Sequence, residues 1–432
     1  MPKTTTGVLL IFGEACFVEV GRRPLCHRLL LSGHRAGVRD WHLLTWHNPQ
    51  WVHESLIVEP KLRNMTWHIH DINTLDSDTP SVWLPQHDII ISSCNIVFDH
   101  RLLLALLAQA MSAICMAPFP ALDASSSIEA TAVDPDATIV PLNDGLHQAV
   151  SPVRCSGALL TQILENVRAD RQQASQILRA ILERLVSAPQ LAAIDIEKHV
   201  WVPLTTPFAD SVAIAEERLL HTMGREGDSP LVRRVARTIS QSLTKRLVHT
   251  RLTPNQITII SAMIGLSGAI LLAQTSIVLR VLGALLFLLS TIVDGCDGEL
   301  ARLTFRESKF GAKLDVTMDN VVHIFLFCGI VLGQYYQHRD SLYLNLGAFI
   351  LGGVFLSMLV YLPYVLRPRP VSRKHARLHE CLASRDFAYA LPILAALNLL
   401  HWFLWATVFG TYLFAFAWVI ISWRERQYEH TA

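Results

Sequence analysis

The chain predicts two architectures in series, an N-terminal α/β domain and a C-terminal all-α bundle of six membrane-spanning helices. Three observations carry this. The 432 residues are 51% hydrophobic and only 17% charged, with a mean hydropathy of +0.34. Charges are spread evenly to about residue 250, then withdraw into short clusters separated by long uncharged runs. Before that point, short apolar runs alternate with helical stretches, the pattern of an α/β layer. The composition excludes disorder, collagen and a disulfide-stapled miniprotein. A balance of 37 basic against 36 acidic side chains argues against a nucleic-acid partner. The eight cysteines show no Cys-x-x-Cys pair or zinc-type spacing, so they read as reduced thiols in a chain facing the cytosol.

In chain order, strands are expected at 7–12, 41–46 and 88–92, and helices at 24–36 and 100–112. The start is no signal peptide, because Glu14 and Glu19 break its apolar stretch. A polar, Pro-rich segment follows at 117–152, and 159–186 reads as a packed helix pair or an oligomerisation element. These make a cytoplasmic domain over 1–225. An amphipathic helix follows over 228–250, opened by Asp228-Ser229-Pro230, with Leu231, Val235, Ile239, Leu243 and Leu247 every four residues. It is expected to lay its apolar stripe into lipid or against the bundle, or to act as a plain linker.

The membrane domain is expected over 251–426. Uncharged runs cover 252–279, 281–293, 320–338, 341–366 and 387–423. A span needs roughly 20 mostly apolar residues, and the last run has room for two short spans joined near 400–405. Basic clusters stand before the first span, between the second and third, between the fourth and fifth, and after the sixth. The opposite connections hold little beyond Arg280 and Arg339. The positive-inside rule then places both termini in the cytoplasm, with a bacterial chain in the inner membrane.

Carboxylates at membrane depth are costly and mark function. Asp294 and Asp297 are three apart at the end of the second span, and Asp315 and Asp319 four apart at the start of the third. Each pair shares a helical face. Four carboxylates in one pocket need cations, and all-oxygen ligation suits two Mg²⁺ or Mn²⁺ ions. Such a pair can clamp a diphosphate, leaving one carboxylate to take a proton. Gly298 permits a close backbone approach, Arg302 can hold a phosphate oxygen, and Gly311 permits tight approach of the third helix.

The run D-x2-D-G-x2-A-R-x8-G-x3-D-x3-D is met by Asp294, Asp297, Gly298, Ala301, Arg302, Gly311, Asp315 and Asp319. With the Thr253-Pro254-Asn255 opening of the first span, it resembles the CDP-alcohol phosphatidyltransferases. That resemblance implies a first metal on Asp294, Asp297 and Asp315 and a second on Asp294, Asp315 and Asp319, with Asp319 as general base. Gly298, Ala301, Arg302, Ser308 and Gly311 would contact the CDP moiety. The implied partners are a CDP-linked alcohol or lipid donor, a polyol or polyol-phosphate acceptor, the bilayer, and a second copy of the chain. Arg367, Arg369, Arg373 and Lys374 either cradle the acceptor's phosphate or only set topology. A transporter with its carboxylates at the midplane is the rival class.

The stretch from Gly21-Arg22-Arg23-Pro24 through Arg35-Ala36-Gly37-Val38-Arg39, with Ala215-Glu216, resembles the sugar-nucleotide nucleotidyltransferases. Proteins that fuse such an inositol-phosphate cytidylyltransferase to a di-myo-inositol-phosphate-phosphate synthase have this order of parts. The chemistry departs from the pattern: the nucleotide loop is reduced to Ile11-Phe12-Gly13-Glu14-Ala15-Cys16, and Cys94-Asn95 stands where a metal-binding Asp is needed. The expectation is a degenerate, inactive domain, with an active, bifunctional enzyme as the alternative. His68 and His70, ahead of Asp71, alternate as surface residues do.

Overall fold

The computed structural model describes residues 6–72, 88–109, 112–118, 140–141, 147–167, 174–187, 192–223, 236–366 and 386–431. The chain divides into two compact units, Met1–Thr222 and Met223–Ala432.

The first unit is built on a mixed sheet. Its strands are β1 (Thr6–Ile11), β2 (Asp40–Thr45), β3 (Thr66–Asp71), β4 (Asp88–Ser93), β6 (Ala113–Pro118), β7 (Val140–Pro141), β8 (His147–Ser156) and β9 (Ala192–Asp195), in the order β3-β2-β1-β4-β8-β6-β9, with β7 on β8. A separate antiparallel pair joins β5 (Ile96–Phe98) to β10 (Trp201–Pro203). β1 lies between β2 and β4, parallel to both, and is buried along its whole length. Continuous apolar runs are what a strand covered on both faces requires. β3 at the edge is only half-buried.

The helices of this unit are α1 (Leu25–Ala36), α2 (Pro49–Ile57), α3 (His100–Leu107), α4 (Gly157–Val167), α5 (Ala174–Val186) and α6 (Phe208–His221). α1 ends on Gly37 at φ 95°, a left-handed cap open to glycine. α4 and α5 are the expected helix pair. Leu160, Leu164, Ile177 and Ile181 close the core over Val8, Leu10, Ile91 and Val153.

One expectation fails here. The helix at 100–112 stops at Leu107, because Ala113–Pro118 is a strand held by β8 and β9. The segment 117–152 contributes β7 and the start of β8, which has β4 and β6 as neighbours. Pairing on both sides overrides its weak local propensity. The β6–β8 register shifts between Ile114 and Cys115, opposite Val153 and Val150, so Ser151 and Pro152 fall in a bulge, where a strand tolerates proline.

The second unit holds α7 (Arg237–Leu247), α8 (Pro254–Leu272), α9 (Ile277–Leu303), α10 (Lys309–His338), α11 (Leu342–Leu366), α12 (Phe387–Ala396) and α13 (Leu400–Thr431). Where six spans were expected, four helices among the described residues are long and apolar enough to cross a membrane: α8, α9, α10 and the Leu400–Trp423 part of α13. The Leu342–Ser357 part of α11 and the helix Phe387–Ala396 are shorter apolar stretches. The last run breaks not at 400–405 but just after α12, where Asn398 takes φ 58° and Leu399 N donates to Leu394 O at 2.7 Å. Two unequal helices of 10 and 32 residues result.

Thr253 caps α8 through a reciprocal box: its hydroxyl accepts from Gln256 N at 3.4 Å, and Gln256 Oε1 accepts from Thr253 N at 2.9 Å. Arg280, expected as a connection charge, lies in the first turn of α9, fully buried, and donates to Gln337 Oε1 at 2.5 Å. Of the helix expected over 228–250, residues 228–235 lie outside the described residues. In the described part, Ser240 and Thr244 are the buried positions, while Ile239 is 47% exposed, on the face that the lipid-facing expectation leaves outward.

Small residues set the helix spacing. A Cβ on Gly329 would overlap the carbonyl oxygen of Ala269, and one on Gly333 that of Leu272. This four-residue spacing lets α10 touch the α8 backbone. Gly329→Leu is therefore expected to force the two helices apart and to leave the purified protein aggregated or with a strongly lowered melting temperature in detergent. A wild-type melting curve would refute the close packing.

Candidate active site

The site begins with two turns of helix. Asp294 and Asp297 lie in the C-terminal half of α9, and Asp315 in the second turn of α10, where the short connection after Leu303 turns the chain back. Ser308 caps α10 by accepting from Gly311 N at 2.9 Å. A Cβ on Gly311 would stand 2.9 Å from Asn255 Oδ1, so glycine lets the start of α10 approach the start of α8. Asp294, Asp297 and Asp315 then each present a carboxylate oxygen, all within 4.8 Å of one another.

Asp297 is buried at 7% exposure and accepts a hydrogen bond from the Thr258 hydroxyl of α8. Arg302 folds back along its helix: a Cβ on Gly298 would meet its Nη1 at 3.1 Å. Helical side chains lean toward the N-terminus, which carries this guanidinium toward the carboxylates one turn earlier. Ala301 is half-buried beside it.

Asp319 is not in the three-carboxylate group. It lines a neighbouring pocket with Asp294, Ser261, Ser290, Thr291 and His323. His323 Nδ1 lies 2.7 Å from the Asp319 backbone oxygen and 3.4 Å from its carboxylate Oδ1. The imidazole packs edge-on against Phe287 and Phe387. Among the sequence-predicted residues, three of the four carboxylates come together with Gly298 and Arg302 close by. Arg367, Arg369, Arg373 and Lys374 lie outside the described residues.

Sequence reasoning missed three groups. Thr258 and His323 carry no motif signal, although His323 follows Asp319 by one helical turn. Glu299 occupies a free position of the Asp-rich run, yet it is fully buried. Its carboxylate accepts from Arg237 Nη1, Ser240 Oγ and Thr244 Oγ1, each at 2.8 Å. This explains why α7 turns its polar face inward. The seven described cysteines are free thiols, six buried and Cys328 exposed.

Known proteins resemble parts of this chain. Residues 251–423 match the profile of the CDP-alcohol phosphatidyltransferases. A bifunctional IPC transferase and DIPP synthase of Rubrobacter xylanophilus is 33% identical over 194 residues, 45% of this chain and 42% of that protein. A phosphatidylinositol phosphate synthase of Corynebacterium glutamicum is 33% identical over 106 residues, 24% of this chain and 48% of that protein. The chain thus spans less than half the length of these relatives. Among solved structures, a 4-diphosphocytidyl-2C-methyl-D-erythritol synthase from Anaerococcus prevotii matches with a TM-score of 0.33 at 12% identity, over 50% of this chain and 97% of that one.

Proposed function

We propose that residues 251–423, which match the CDP-alcohol phosphatidyltransferase profile, move a phosphoalcohol group from a CDP-alcohol to an acceptor hydroxyl, releasing CMP. The observation that carries this reading is the convergence of Asp294, Asp297 and Asp315 within 4.8 Å from two helices.

Three carboxylates at one point form an all-oxygen donor set, which fits Mg²⁺ or Mn²⁺. Asp294, Asp297 and Asp315 would hold one ion, and Asp294, Asp315 and Asp319 a second. When bound, such ions screen the diphosphate and stabilise the leaving oxygen. Thr258 fixes the rotamer of Asp297, so its carboxylate is aimed before substrate arrives. Arg302, folded over Gly298, takes a phosphate oxygen of the CDP group, with Ala301, Ser308 and Gly311 framing the same side. Asp319 takes the proton of the acceptor hydroxyl, and His323 orients that carboxylate. The acceptor oxygen bonds to the phosphorus that carries the donor alcohol; the bond to the CMP oxygen breaks, and CMP leaves with the electron pair. Positioning and charge neutralisation suffice for phosphoryl transfer.

Arg367, Arg369, Arg373 and Lys374 serve a polyol-phosphate acceptor. The protein works as a homodimer in the bilayer, with both termini cytoplasmic and, in a bacterium, in the inner membrane. The first unit is a relic of a nucleotidyltransferase. Glu14 is exposed at the end of β1, where it would repel a triphosphate, and the fully buried Cys94 follows β4 where a metal-binding carboxylate is needed. The bifunctional reading would require pyrophosphate release from CTP and a polyol phosphate.

The test uses the full chain in detergent with CDP-diacylglycerol and inositol phosphate or glycerol phosphate, following CMP. Asp319→Asn is expected to abolish CMP release while CDP binding and the melting temperature stay near wild type. Full activity in that variant would remove Asp319 as the base. No CMP from the wild type with any CDP-alcohol would overturn the reaction class.

A further inference from the structure

Edge strand β3 runs parallel to β2 in a register that sets Asp40 opposite Thr66, His42 opposite His68 and Leu44 opposite His70. The two-residue period of strands puts Asp40, His42, His68 and His70 on one face. His68 and His70, expected as independent surface residues, therefore join two more potential ligands that the sequence keeps 28 positions away.

Asp40, His42 and His68 each offer a ligand atom, and these atoms lie within 4.8 Å of one another. His68 Nε2 stands 3.6 Å from Asp40 Oδ1. That is too long for a hydrogen bond. Two ligands of one tetrahedral ion, each about 2.0–2.1 Å from it, stand about 3.3 Å apart. Asp40 Oδ1 is shielded from solvent and has no hydrogen-bond partner, while Oδ2 accepts from Thr6 at 3.4 Å. His42 is buried, and its Nδ1 pairs with His70 Nε2 at 3.0 Å. A ligating imidazole is commonly oriented by such a partner on its other nitrogen.

We propose that Asp40, His42 and His68 bind one zinc-type divalent transition-metal ion, with His70 orienting His42 and a fourth position open to water or an anion. Two imidazole nitrogens and one carboxylate favour Zn²⁺ or Co²⁺ over Mg²⁺. The ion would tie the edge strand β3 to β2, and the site is separate in composition from the all-carboxylate cluster of the second unit.

Co²⁺ titration of the full chain in detergent, with millimolar Mg²⁺ present throughout, tests this. The expected result is one Co²⁺ per chain with the intense visible bands of tetrahedral coordination, displaced by Zn²⁺, and a melting temperature raised by either ion. His68→Ala is expected to lose the bands and the thermal shift; its side chain is 52% exposed, so the variant folds. His42→Ala should act likewise. Asp297→Asn should keep both signals. No tetrahedral bands in the wild type, equal bands in His68→Ala, or bands lost in Asp297→Asn would each overturn the proposal.

Discussion

Asp297→Asn is expected to lower CMP release by at least about a thousandfold, a loss of about 4 kcal/mol of transition-state stabilisation at 1.36 kcal/mol per tenfold. Asp297 is the most deeply buried carboxylate of the cluster, and the Thr258 hydroxyl donates to it. Asparagine keeps the shape and an oxygen for that hydrogen bond, so the helices should pack as before. What disappears is one negative charge from a group of three that must match a divalent cation. The melting temperature should therefore move little while the Mg²⁺ concentration for half-maximal rate rises. Asp315→Asn should behave in the same way from the other helix. Thr258→Val leaves the charge but frees its rotamer. A hydrogen bond to a charged group is worth about 1.5–3 kcal/mol, so a loss of roughly ten- to a hundredfold is expected. CMP release in Asp297→Asn within tenfold of wild type would remove it from the reacting centre.

The contrast between Asp297 and Thr258 shows what the sequence could carry. The carboxylates announce themselves because charge at membrane depth is rare and their spacings of three and four share a helical face. Thr258 is one hydroxyl among many on an apolar helix, and only the packing of α8 on α9 selects it. The same division runs through the fold. β1 and β4 were legible as short apolar runs, and α1 as a helical stretch between them. β8 was not, because its strand state depends on two neighbours distant in sequence and its Pro152 looks like a breaker until the bulge accommodates it. The uncharged run at 387–423 was read as two short spans joined near 400–405. Composition locates no break inside such a run, and the left-handed Asn398 decides where it falls. His42 and His68 were separated by a full strand-to-strand connection, so their meeting is a property of the register alone.

Glu299→Leu should strongly destabilise the second unit. The side chain is fully buried and binds three donors of α7: Arg237, which is 12% exposed, together with Ser240 and Thr244. Removing one member of a buried ion pair strands the other charge and costs about 3–5 kcal/mol. Here two buried hydroxyls lose their acceptor as well. A double variant, Glu299→Leu with Arg237→Leu, removes both charges and should recover much of the melting temperature, since an apolar replacement of a whole pair is often neutral. Activity should not recover with stability. α7 reaches the reacting centre through its contact at Ser240: Cys296 Sγ lies 3.4 Å from the Ser240 oxygen, and Cys296 stands between Asp294 and Asp297 on α9. Without the polar grip of Glu299, α7 is free to turn its exposed Ile239 face inward, shifting the turn that aims both carboxylates. Hydrogen exchange along α7 and CMP release in the double variant separate the two effects. Protected α7 amides and wild-type CMP release in Glu299→Leu would show that this buried carboxylate neither holds the helix nor shapes the cluster.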